Sequence, residues 1–127
     1  MIDLHIHTTY SDGTNTVKEV LKMCEEKKLE YISITDHDTC KQYEDKALNE
    51  KIFSGKIIFG SELHAIFNKR CLEILAYNID IEVMNKWLEK YYSEEKLREC
   101  QVASREKLFE IFDKVRKSNI LNSPFTI

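Results

Sequence analysis

The residues best suited to chemistry in this chain are four histidines and the acidic residues around them. The histidines are His5, His7, His37 and His64. His5 and His7 lie two positions apart, and on a β-strand such residues point to the same face. The two imidazoles can therefore reach one metal ion. An HxH pair alone is weak evidence, because ordinary surface or core histidines show the same spacing.

Further metal-ligating residue types follow the ends of successive predicted strands. Asp12 lies in the loop after the first strand, His37 follows the second strand, and Glu62 follows the third. Active sites of barrels and open α/β sheets gather at the carboxyl edge of the strands. The intervals between these groups match one strand-and-helix unit each. The sequence therefore predicts that three separate segments deliver imidazole and carboxylate groups to one rim.

Mixed imidazole and carboxylate ligands suit zinc, manganese or iron. Two such ions close together lower the pKa of a bound water and neutralise a phosphoryl oxygen, which favours hydrolytic chemistry. The sequence contains no Ser or Cys motif that indicates a protein nucleophile. Asp36 and Asp38, which flank His37, are interpreted as partners that orient imidazoles or as solvated loop acids.

The hydrophobic pattern predicts alternating strands and helices up to about residue 80. Strands are predicted at 2–6, 31–35, 56–59, 63–67 and 72–77, a helix at Thr16, and a second helix over about 40–53 with Tyr43, Ala47 and Leu48 inward. Thr16 and Glu19 fit a capping box, in which each side chain satisfies a backbone donor of the other residue. Apolar residues at helical spacing then predict one or two helices over 82–117, with a break near Ser93 or Ser104.

Composition indicates one globular domain. The chain has 127 residues, of which 43% are hydrophobic and 32% charged, and its net charge is -3. This balance argues against stable nucleic-acid binding, but it does not exclude a small phosphorylated substrate. Without a membrane-length apolar run or a signal peptide, we expect a cytoplasmic protein that does not contact membranes.

The four cysteines form no CxxC pair, and we expect buried or free thiols and no disulfide framework.

The order and spacing of these motifs resemble the PHP family, named for its polymerase and histidinol phosphatase domains. The resemblance is carried by residues 3–8 (DLHIHT), 11–13 (SDG), 34–39 (ITDHDT) and 60–62 (GSE), and more weakly by 72–80 and 104–107. It extends over nearly the whole chain. The subgroup that it fits is that of the small bacterial metal-dependent phosphoesterases.

The resemblance implies an α/β fold, the N-terminal part of a distorted, TIM-barrel-like (β/α)7 barrel with a helical C-terminal segment. Residues 1–127 would form one incomplete domain, with the metal site in 1–80 and a mainly helical 81–127. It also implies two or three divalent ions of manganese, zinc or iron. Their ligands, which are also the catalytic residues, would be His5, His7, Asp12, His37 and Glu62. The implied reaction is hydrolysis of a phosphate ester in a nucleotide, a short oligonucleotide or a small phosphorylated metabolite.

Three residues have open alternatives. Many relatives carry a metal-binding His where this chain has Glu73, so Glu73 is either a substitute ligand or an ordinary strand residue. His64 either faces the same site or is a satisfied strand histidine. Arg70, which lies with Lys69 in a predicted turn, either holds substrate phosphate or lies at a solvated hairpin tip.

The family pattern continues with a His and an Asp-x-His pair on late strands, and this chain stops before them, at residues 123–127 (SPFTI). We therefore expect a fragment or a fold that another chain completes. The alternative functions are a catalytically inactive metal-binding fragment or an assembly module that pairs through residues 82–117. Trp87, Tyr91 and Tyr92 are interpreted as core or as a partner surface, and a homo-oligomer is a further hypothesis.

Overall fold

The protein has a mixed α/β architecture, seen in a computed structural model that describes residues 1–92 and 94–117. Three parallel strands form one sheet in the order β1 (Ile2–Ile6), β2 (Tyr31–Ile34) and β3 (Lys56–Ile57). An antiparallel hairpin follows, formed by β4 (Gly60–Phe67) and β5 (Arg70–Tyr77). The helices are α1 (Val17–Glu26), α2 (Ile81–Tyr91) and α3 (Glu94–Lys117).

The core lies between α1 and the parallel sheet. The capping box at Thr16 and Glu19 is present, as predicted, and starts α1. An apolar face of α1 then packs against β2, because its apolar residues recur every three or four positions. The buried residues of this cluster are Val17, Val20, Leu21, Cys24, Leu29, Ile32, Ile34 and Ala47. This packing holds the carboxyl ends of β1 and β2 side by side.

The predicted helix over 40–53 is wrong. Two short 3₁₀ helices, Lys41–Glu44 and Lys46–Glu50, occupy the segment instead. The backbone at Asp45 between them is extended, and the Asp45 side chain accepts a hydrogen bond from the backbone N–H of Ala47. Gln42 and the Tyr43 hydroxyl both donate to the carbonyl of Ile34 at the end of β2. These side-chain contacts tie the segment to the sheet.

The predicted third strand over 56–59 is shorter than expected and is not the strand that carries Glu62. β3 ends at Ile57, and β4 begins at Gly60. The start of β4 pairs in parallel with the chain after β2, through a bridge between His37 and Glu62. Glu62 donates its N–H to the Asp36 carbonyl (3.2 Å), and Asp38 donates its N–H to the Glu62 carbonyl (3.0 Å). The sheet thus continues into the hairpin at the point where His37 lies.

The hairpin and the C-terminal helices follow the predicted pattern, and the segment is divided into two helices, since α2 ends at Tyr91 and α3 begins at Glu94. The expectation about the cysteines is wrong for two of the four, because Cys71 on β5 and Cys100 on α3 form a disulfide with their Cα atoms 5.1 Å apart. They lie 29 positions apart in the chain. α3 packs across the hairpin, and this tertiary contact brings them together. Cys24 and Cys40 are buried free thiols, as expected.

Within residues 1–92 and 94–117, no helix has the length and apolarity that crossing a bilayer requires. Residues 123–127, at which the sequence stops before the late-strand residues of the family pattern, lie outside the described residues.

Candidate metal centre

β1 presents His5 and His7 to the same side of the sheet, as the strand spacing predicts. The Nε2 atom of His5 lies 2.9 Å from Oε2 of Glu62, and Nε2 of His7 lies 3.0 Å from the same oxygen. The two rings are tilted against each other, with centroids 5.0 Å apart. A strand from each of the two sheets thus supplies donor atoms to one small volume.

Glu62 is the buried carboxylate at the centre of this arrangement, with a side chain that is 6% exposed. Burial by itself would raise the pKa of the Glu62 carboxyl. The hydrogen bond from His5 and the charges of the His5, His37 and His7 rings outweigh burial and lower that pKa below its usual value. Glu62 is therefore an anion at neutral pH, which is the form that binds a metal ion.

Asp12 reaches the same region from the loop after β1. Its carboxylate oxygens lie 3.5 Å from Nδ1 of His7 and 3.4 Å from Nε2 of His37. Gly13 allows this loop to fold back closely on β1, because a Cβ atom at Gly13 would lie 2.4 Å from the His7 carbonyl oxygen. The Asp12 side chain is 69% exposed, so it faces solvent as well as the imidazoles.

The structure corrects the interpretation of Asp36. It is fully buried, and among the described residues its side chain forms no hydrogen bond with an imidazole. Its carboxylate accepts hydrogen bonds from the Thr8 N–H (2.7 Å), the Thr8 hydroxyl (2.7 Å) and the Ser11 hydroxyl (2.6 Å). Asp36 lies just after β2, and its hydrogen bonds anchor the loop after β1 there. That loop contains Asp12.

Asp38 does orient an imidazole, as the sequence suggested. Its carboxylate lies 2.5 Å from Nδ1 of His64 and accepts the His64 backbone N–H at 2.9 Å. The hydroxyl of Tyr92 also donates to Asp38, and burial together with this contact raises the pKa of Tyr92. The other ring nitrogen of His64 lies 3.3 Å from a carboxylate oxygen of Glu73. Sequence reasoning placed Tyr92 in the core or on a partner surface and missed this role, because a helix-end tyrosine carries no signal for it.

Among the described residues, three overlapping groups could each hold a metal ion, with the ligand atoms of a group all within 4.8 Å of one another. They are His5, His7 and Glu62; His7, Asp12 and His37; and His37, His64 and Glu73. His7 and His37 each belong to two groups, so the seven residues form one connected cluster. The rings of His7 and His37 are stacked at 4.5 Å, and those of His37 and His64 at 5.0 Å.

The donor atoms of this cluster suit divalent metal ions. The Nδ1 atoms of His7 and His37 are buried and have no hydrogen-bond partner among the described residues. A buried polar atom without a partner is costly, and a metal ion would remove that cost. Neutral imidazoles and carboxylates together match the preferences of zinc, manganese and iron.

An open cavity of about 870 Å³ borders the cluster. Asp12, His37, His64 and Glu73 line one part of it, and Gln101 and Ser104 of α3 line another.

Arg70 is exposed and pairs with Phe67 at the tip of the hairpin. It lies three positions from Glu73, so it points to the opposite face of β5. This position does not favour a role for Arg70 in phosphate binding, which stays a prediction.

Several curated relatives are named as nucleases. A 5'-3' exoribonuclease of Haemophilus influenzae is 27% identical over 121 residues, which cover 95% of this chain and 42% of that protein. The 5'-3' exoribonuclease Rnm of Salmonella typhimurium is 36% identical over 83 residues, which cover 62% of this chain and 28% of that protein. The chain thus spans less than half the length of these relatives.

A solved structure from Bifidobacterium adolescentis, described as a metal-dependent phosphoesterase, superposes with a TM-score of 0.60. It is 26% identical in sequence, and the match covers 70% of this chain and 32% of that one. The sequence profile of the PHP domain matches residues 3–115. This match confirms the resemblance seen in the motifs, and the chain belongs to the PHP domain family.

Proposed function

We propose that this protein is a metal-dependent phosphoesterase whose ligands and catalytic residues are His5, His7, Asp12, His37 and Glu62. One observation carries the proposal. The connected cluster of imidazoles and carboxylates combines a buried anionic Glu62 with two buried imidazole nitrogens that lack hydrogen-bond partners among the described residues. The relatives named as nucleases and the structural neighbour described as a phosphoesterase support the same chemistry.

Divalent ions in such a cluster activate water as the nucleophile and neutralise the charge that develops on a phosphate ester. The side chains of the protein fix where this happens. Glu62 and the β1 histidines lie deepest, on the rigid strands, and Asp12 reaches them from a loop that Asp36 anchors. The cavity lies on the side of Asp12 and His37, which leaves room for a substrate phosphate there.

The proposed substrate is a nucleotide, a short oligonucleotide or a small phosphorylated metabolite, and the proposed metal is manganese, zinc or iron. The exoribonuclease relatives favour a substrate that contains a nucleotide. The net charge of -3 argues against stable binding of long nucleic acids. A cytoplasmic location stays a prediction.

We further propose that the parallel strands and the hairpin correspond to the N-terminal part of a distorted (β/α)7 barrel. The support is the family match together with the share of each relative that the chain covers. Because the chain covers less than half of each of these relatives, a second function is also proposed, that of a metal-binding fragment without turnover. The two functions differ in one observable, the rate of ester hydrolysis.

The test is hydrolysis of a chromogenic phosphate monoester and a chromogenic diester by the purified chain with added Mn²⁺. The variant His7→Ala removes a residue that belongs to two of the three groups. We expect it to lower the rate by more than the about 10- to 100-fold that loss of an outer contact of a metal ligand costs. Lys86→Ala is the control, because Lys86 is an exposed residue of α2 and we expect no change in rate.

Hydrolysis that needs Mn²⁺ and fails in His7→Ala supports the phosphoesterase. A folded chain that binds Mn²⁺ but hydrolyses neither ester supports the inactive fragment. Equal rates in His7→Ala and the unmodified protein would refute the assigned site.

A further inference from the structure

The third group of the cluster, which consists of His37, His64 and Glu73, draws on both strands of the hairpin. In this chain His64 lies directly across from Glu73 in the β4–β5 register, with His64 Nε2 3.3 Å from Glu73 Oε1. The imidazole therefore comes from β4, and β5 supplies a carboxylate. Directly opposed residues of a hairpin share one face, so both side chains can reach the same ion.

The partners of His64 determine which of its nitrogens can bind a metal. Asp38 accepts the backbone N–H of His64 through Oδ1 and faces the ring Nδ1 through Oδ2. Because a carboxylate only accepts hydrogen bonds, Nδ1 must carry the proton. In the neutral ring, Nε2 then points its lone pair at the Glu73 oxygen. Two acceptor atoms that face each other at this distance need a cation or a proton between them.

Tyr92 fixes the orientation of Asp38 from the end of α2. Its hydroxyl donates to the same Oδ2 atom that faces His64, at 2.5 Å. The Asp38 side chain is 9% exposed and the His64 side chain is 19% exposed, so this chain of contacts is largely shielded from water. A carboxylate that holds the second nitrogen of a histidine is the usual outer contact of a metal-ligating imidazole.

We propose that His64 and Glu73, together with His37, bind a divalent metal ion, with Asp38 and Tyr92 as positioning residues for the His64 ring. This inference rests on the proposed function, in which the other residues of the cluster bind metal ions. The proposed position borders the cavity, since His37, His64 and Glu73 all line it. An ion there would lie on the side from which substrate phosphate approaches.

The experiment follows the ring nitrogens of the four histidines by ¹⁵N–¹H NMR while Zn²⁺ is added to the purified chain. Single His variants assign the four rings. We expect His64 Nε2 to move to the shift of a metal-bound nitrogen while Nδ1 keeps its proton. The shifts report ligation directly and do not depend on enzyme activity.

Two variants test the positioning of His64. Asp38→Asn keeps an oxygen for the His64 backbone N–H but places an amide donor against Nδ1, which drives the ring proton to Nε2. We expect Zn²⁺ binding at this position to weaken by about 10- to 100-fold and His64 to show the other tautomer. Glu73 is half exposed, so Glu73→Gln removes the carboxylate with little risk to folding. We expect it to weaken binding of the same ion. Glu95→Gln, on the exposed side of α3, is the control.

The outcomes separate this inference from the proposed function. Shifts at His5, His7 and His37, with His64 Nε2 unshifted at saturating Zn²⁺, would overturn the His64 position and leave the phosphoesterase intact. No shift at any histidine would contradict both proposals. A His64 Nε2 shift that Asp38→Asn and Glu73→Gln reduce, and Glu95→Gln does not, supports the inference.

Discussion

At the scale of single residues, Asp36 shows how a buried acid can serve a site without entering it. Its carboxylate is completely buried and accepts three hydrogen bonds from Thr8 and Ser11. A buried charge is costly unless such bonds compensate it. The three bonds fix the loop after β1, and that loop carries Asp12 to the histidines.

Asp36→Asn should therefore lower both stability and metal affinity. The amide group of Asn replaces the oxygen that accepts from the Thr8 hydroxyl, so we expect a loss of about 1–3 kcal/mol in the free energy of unfolding. Urea denaturation of the metal-free protein measures this loss. Asp113→Asn is a matched control, because Asp113 pairs with Lys117 near the end of α3, where we expect a change below about 1 kcal/mol. Equal midpoints for Asp36→Asn and the control would contradict the anchoring role.

The sequence was most informative about residues whose spacing follows from strand geometry. His5 and His7 share a face because they are two positions apart, and the structure brings Asp12, His37 and Glu62 to them. Their role as ligands stays a prediction. The roles of Asp36 and Tyr92 could not be predicted, because their partners lie on other elements and depend on packing.

At the scale of elements, the contact between the hairpin and α3 determines how the cavity is enclosed. Cys71 on β5 and Cys100 on α3 both line the cavity and are joined by the disulfide. A cross-link stabilises the folded protein mainly by restricting the unfolded chain, and the effect grows with the length of the closed loop. Here the cross-linked residues are 29 positions apart.

We expect reduction of this disulfide to lower the free energy of unfolding by about 3–4 kcal/mol. Guanidinium denaturation with and without dithiothreitol measures the effect. In a Cys71→Ser, Cys100→Ser double variant the reductant should have no effect, because the cross-link is already absent. If the unmodified protein has the same midpoint in both conditions, the cross-link does not stabilise the fold.

Element prediction succeeded where a local signal agreed with the tertiary structure. The capping box located the start of α1, and alternating apolar residues located the hairpin. The predicted helix over 40–53 failed because Gln42 and Tyr43 bond to the end of β2, which favours short 3₁₀ turns. β3 is shorter than the predicted third strand, and Glu62 lies within β4, because pairing with the chain after β2 sets the start of β4 at Gly60.

At the scale of the whole molecule, α3 exposes an apolar face. Leu108, Phe109, Ile111 and Phe112 are each between 43% and 56% exposed. Trp87 and Tyr91, which the sequence left open between core and partner surface, are also nearly half exposed. Large exposed apolar patches drive association, so this surface supports the prediction that the protein forms a homo-oligomer.

We expect the mass from light scattering to exceed 15.0 kDa and to rise with concentration. Replacing Phe109 and Phe112 by Ser should move the mass toward that of one chain, because both lie on the exposed part of α3. Lys86→Ala serves as the control on α2. A single-chain mass at all concentrations would contradict self-association.

The number of Mn²⁺ ions bound per chain, measured by equilibrium dialysis and metal analysis, tests the proposed metal centre most directly. We predict two or three ions for the unmodified protein. His7→Ala should lose at least one of them, because two groups of the cluster share this residue. Binding of fewer than one ion by the folded protein, or an unchanged number in His7→Ala, would contradict the metal centre described above.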